Sequence, residues 1–175
     1  MSMTLIEHIE VGSGGAASIA FTSIGSDYTD ILVLLSSRSD RAANDFDTLE
    51  ISFNANTSNR TSRRLYGSGA SAASDTFTSG RIGLINASTS TSSTMSSTSI
   101  YIPNYGSASA KSASIDGVSE NNATTSFQEI FAFLWNDTSA ITSLTLEPTN
   151  GNFVQYSSAT LYGITAGSDG TTAVS

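Results

Sequence analysis

Apolar residues in this chain recur at every second position and in short runs, which is the period of β-strands rather than helices. The strongest run is Phe127 to Trp135. One face carries Phe127, Phe131, Phe133 and Trp135, interrupted by Glu129; the other carries Ile130, Ala132 and Leu134 after Gln128. A half-exposed strand shows one polar face, so this pattern predicts a strand covered on both sides. Its aromatic content and the Asn136, Asp137, Thr138 stop favour β over a short helix. One cover is the sandwich core. The other is expected to be a second subunit, which makes Phe127, Ile130, Phe131, Phe133, Leu134 and Trp135 the expected subunit-interface residues.

The remaining strands are weaker but regular. Thr4 to Val11 and Ala17 to Phe21 flank a Gly-Ser-Gly-Gly turn at Gly12 to Gly15, a hairpin-like opening. Ile31 to Leu35 is apolar on both faces, whereas Leu49, Ile51 and Phe53 alternate with Glu50 and Ser52. Short strands are predicted at Arg63 to Tyr66, Arg81 to Ile85, Ser99 to Ile102 and Lys111 to Val118. Two more fall at Ile141 to Leu146, before Pro148, and Ser157 to Ile164. Ser68 to Gly80 reads as a long exposed loop, and Ala87 to Ser97 is almost all serine and threonine.

These runs, roughly 10 to 15 residues apart, predict an all-β fold with no substantial helix: an antiparallel jelly-roll sandwich of about 8–10 strands. An immunoglobulin-like sandwich is second. One domain over 1–165 followed by a polar tail, 166–175, is expected.

Composition narrows the class. Serine and threonine make up about a third of the chain, and there is no cysteine, so neither disulfides nor a cysteine metal site is available. Seven basic against fifteen acidic residues give a formal charge of −8. That argues against nucleic acid as a partner. No apolar run reaches the 18 residues of a membrane span. The start, with Glu7 and Glu10 inside its apolar stretch, lacks the form of a signal peptide, so cytoplasmic synthesis is expected.

Little in the chain suggests catalysis. His8 is the only histidine and has no Gly-x-Ser-x-Gly elbow to serve. Asp40, Asn44, Asp45 and Asp47 place oxygens as a calcium loop does, without its glycine or closing glutamate. Asp116, Glu120, Glu129 and Asp137 could supply a glycosidase pair, but nothing selects two of them. No enzyme, cofactor or metal is therefore expected. Arg60, Arg63 and Arg64 form the one basic cluster: either a solvated loop paired with acids or a docking patch for an acidic neighbour.

Several phrases carry a family likeness: Ser119 to Glu129, Asn150 to Tyr156, Leu161 to Ile164, Arg64 to Gly67, Arg81 to Leu84 and Tyr101 to Tyr105. With them the chain resembles small virion proteins of tailed bacteriophages. The resemblance implies a jelly-roll module on the virion surface, assembled in the host bacterial cytoplasm. Such modules serve as capsid decoration (cement) proteins, often homotrimers on the major capsid protein, or as tail-fibre heads that bind host glycans. Tyr101, Tyr105 and Tyr156 are the tyrosines that could stack on sugars. No catalytic residue is implied.

Overall fold

The computed structural model describes residues 2–123 and 125–166, and within them the chain forms twelve strands and no helix. They are β1 (Ser2–Glu10), β2 (Ile19–Phe21), β3 (Asp30–Ser37), β4 (Phe46–Phe53), β5 (Arg60–Gly67) and β6 (Ala72–Phe77). Then follow β7 (Arg81–Asn86), β8 (Ser96–Ile102), β9 (Lys111–Glu120), β10 (Ser126–Trp135), β11 (Leu144–Pro148) and β12 (Ser158–Thr165).

An eight-stranded sheet runs β1-β12-β3-β8-β9-β10-β5-β6, and a four-stranded sheet runs β2-β11-β4-β7. All strand pairings are antiparallel. Leaving out the hairpins β5–β6 and β9–β10, each sheet keeps four strands. β1-β12-β3-β8 then faces β2-β11-β4-β7, the chain alternating between sheets as two Greek keys require. The expected jelly-roll sandwich is thus the fold. Its twelve strands exceed the expected 8–10 because the two inserted hairpins zip together, β10 against β5, and double the width of one sheet.

The core lies between the sheets. Ile31, Val33 and Leu35 of β3 and Leu49, Ile51 and Phe53 of β4 are buried, each set on one side of its strand by alternation. The inserted hairpins join this core through β10. The Phe53 ring meets Phe133 edge-on at 5.9 Å and Trp135 at 5.4 Å. Burying each such side chain contributes about 1.5–3 kcal/mol. Extension and sandwich therefore share one interior.

Three expectations change, and a fourth falls outside the described residues. β1 and β2 do not form a hairpin; they pair with β12 and β11 in different sheets, and the Gly15 amide closes the intervening turn on the Gly12 carbonyl at 3.0 Å. Part of the expected loop 68–80 is the edge strand β6, whose small and polar residues show no apolar period; its ladder to β5 holds it. β11 begins at Leu144, later than the expected Ile141, which is buried in the preceding loop. The expected polar tail, apart from Ala166, lies outside the described residues.

Gly163 of β12 is required by a close approach. A Cβ there would lie 2.3 Å from the Tyr28 ring, which packs over the bare backbone. Gly163→Ala is expected to displace that ring and cost about 1–3 kcal/mol, as other overpacking substitutions do, measured as a lowered urea midpoint at unchanged slope.

Candidate functional site

Strand β10 sits in the interior of the wide sheet, bonded along its length to β9 and β5. Alternation sends Glu129, Phe131, Phe133 and Trp135 inward, where all four are buried. Phe127, at the strand's start, is half-buried against Phe46 and Tyr66 on the same inner side. Gln128, Ile130, Ala132 and Leu134 face outward and are exposed. Of the six expected interface residues, then, Phe127, Phe131, Phe133 and Trp135 belong to the protomer's own interior. Only Ile130 and Leu134 are open to a partner. The physical reason is the extra width of the sheet, whose inner face is closed by β7 and the β4 side rather than by another chain.

The outer face around β10 is aliphatic. Leu65 is 63% exposed, Ile130 53% and Leu134 37%, and Val118 is exposed beside them. Register aligns Leu65, Ile130 and Asp116 in one row across β5, β10 and β9, and Arg63, Ala132 and Ser114 in the next. A shallow depression of about 520 Å³ lies between Leu65, Gly67, Ala72, Ser74, Gln128 and Ile130. Leu34 and Tyr101 continue the exposed apolar face on β3 and β8. Exposed aliphatic side chains gathered on one face, with isolated charges among them, are a feature by which contact surfaces are recognised.

The arginine cluster is split by the same alternation. Arg63 points outward and is exposed; Arg60 and Arg64 are buried on the inner face of β5. They therefore form no docking patch as a trio. Arg60 donates to the carbonyls of Ile51 and Thr57, 2.6 and 2.9 Å, and pairs with Glu50 at 3.6 Å. Arg64 pairs with Glu129, Nε to Oε1 2.7 Å, and with Asp75 at 3.2 Å, while its guanidinium lies 3.7 Å over the Tyr66 ring. Adjacent residues on a strand must oppose each other, so Arg63 and Arg64 could have been separated from the sequence alone.

Glu129 is the hub that the pattern did not identify. Its other oxygen accepts the Leu84 amide of β7 at 2.7 Å, tying the wide sheet to the small one. Gly83 and Gly117 flank it; a Cβ on either would be in ordinary contact with Oε2. Burial pushes the Glu129 carboxyl up, while Arg64, the Leu84 amide and Arg81 pull it back. Burial likewise lowers Arg81, which stacks 4.5 Å over Phe77.

The other chemical candidates are dispersed. The Glu129 side chain lies on the inner face and Asp116 on the outer, so the sheet separates them. Glu120 and Asp137 close local turns through the Asn122 and Ser139 amides. Asp40 holds the Asn152 amide, Asp45 the Thr89 hydroxyl, and buried Asp47 the Asn150 amide group. Among the described residues no three acidic, histidine or cysteine side chains converge on a metal position. His8 hydrogen-bonds Thr160 at 2.8 Å on the outer face of the edge strand β1 and its neighbour β12. Tyr105 is buried and donates to the Gly25 carbonyl, which removes it as a sugar platform. Tyr101 is exposed, with its hydroxyl on Asp30, and Tyr156 is fully outward.

No protein-family model, no curated protein and no solved structure matches this chain.

Proposed function

We propose that this chain is a structural subunit of a tailed-bacteriophage particle: a capsid decoration protein that trimerises on the head surface and stabilises the shell by contact with the major capsid protein. The observation that carries the reading is the exposed aliphatic ridge of β10, an interior strand of an eight-stranded sheet. Leu65, Ile130, Ala132 and Leu134 form a contiguous patch that a second copy would cover. The jelly-roll order, the acidic Ser/Thr-rich composition and the resemblance to phage virion proteins support it. The role needs no catalytic residue, cofactor, nucleic acid or membrane.

Two measurements test it. Light scattering at micromolar concentration should give the mass of a trimer; a monomer would count against the assembly. Labelled protein should decorate heads in many copies, and its deletion should lower the heat resistance of particles with host range unchanged.

A glycan-binding tail-fibre head is the second reading, and Tyr156 favours it. It is the most exposed large apolar side chain among the described residues, at 67%. Its φ of 70° is a conformation that bulky residues rarely adopt and that often accompanies function. In that reading Tyr156→Ala weakens host adsorption and leaves head stability alone.

A further inference from the structure

We infer that Arg63 of one copy pairs with Asp116 of the next, the two residues forming the charged contact of a head-to-tail interface centred on β10. This rests on the assembly reading above and names the partner of that face: another copy of this chain.

Arg63 stands apart from the other cations. The protein carries seven, against fifteen acids, and among the described residues Arg63 alone of the seven is exposed. Its guanidinium makes one hydrogen bond, 3.3 Å to the carbonyl of Ser62 in its own strand. The fork is thus open toward solvent beside Ala132 and Leu134, a setting in which arginine acts as an interface anchor. Asp116 is its counterpart across the ridge. It is exposed, on the same outer face, and among the described residues its carboxylate meets only Gln128 Nε2, at 3.3 and 3.4 Å.

Register sets their relation. Arg63 lies opposite Ala132, and Asp116 opposite Ile130, on the two flanks of β10. Two strand spacings across and one row along put their backbones about 12 Å apart within one copy, and no ion pair joins them. In a ring of copies with β10 nearest the axis, the β5 flank of each copy meets the β9 flank of its neighbour. One row of offset, about 7 Å, is within reach of an arginine side chain. The other outer-face acids serve less well: Glu120 caps the Asn122 amide, Asp30 holds the Tyr101 hydroxyl and the Asn104 amide, and Glu10 lies on the far edge strand β1.

The test uses the full chain in three forms, Arg63→Asp, Asp116→Arg and the double exchange, with assembly read by sedimentation velocity and folding by circular dichroism. Each single variant should fold as wild type yet associate at least about tenfold more weakly. The double exchange should restore association, and the wild-type association should weaken with added salt. Singles that assemble as wild type does, or a double no better than the singles, would overturn the pairing while leaving assembly intact. A monomeric wild type would overturn both.

Discussion

Glu129→Ala should remove a large part of this protein's stability. Arg64, buried beneath Tyr66, would lose its closest counter-charge, and the Leu84 amide its acceptor. Breaking a buried pair from one side costs about 3–5 kcal/mol, against a total of about 5–15 kcal/mol for a domain. Urea unfolding followed by tryptophan fluorescence would read it, since Trp135 lies on the same strand face. The double replacement Glu129→Leu with Arg64→Met should recover most of the loss, because desolvation rivals the attraction of such pairs. The raised carboxyl of Glu129 makes the same point. A folded value above the unfolded one means that this group's contribution is fully present below about pH 4.3, the ordinary glutamate value. It declines as pH rises through the folded value. The apolar double variant should lack that decline; an unchanged pH profile would remove Glu129 as its source.

Alternate residues of β10 should respond in opposite ways. Trp135→Ala, at the strand's inner face against Phe53, should cost about 3–5 kcal/mol through the cavity it leaves. Phe133→Asp, which buries a lone carboxylate in the same interior, should yield no folded protein. Ile130→Ser, one face away, should change the stability of the dissociated protomer by no more than about 0.5 kcal/mol and yet weaken assembly. Melts at low concentration together with light scattering at high concentration separate the two effects. Soluble, assembled Phe133→Asp protein would show that the inward assignment is wrong.

The alternating pattern made much of this legible. It located the central strand, the two-sided apolar character of β3 and β10, and a sandwich of two Greek keys. It missed β6, because Ala72 to Phe77 has no apolar side to show and is held by backbone bonds to β5. It also joined β1 to β2, because a glycine turn between two strands is compatible with a hairpin or with a crossing between sheets. At the candidate site it recognised that β10 had two apolar faces, but assigned residues of both, the aromatic set as well as Ile130 and Leu134, to a partner. Phe131, Phe133 and Trp135 are larger than Ile130 and Leu134, and size alone does not say which face the second sheet covers.

What the sequence determined by itself is local: the period of two, the strand-ending turns, and the opposition of neighbours such as Arg63 and Arg64. Those follow from covalent geometry and need no partner strand. Which face became interior, and that Glu129 would find Arg64 and the Leu84 amide, was decided only by tertiary structure. Such pairings join β10, β5 and β7, segments dozens of residues apart, and they exist once two inserted hairpins have widened one sheet.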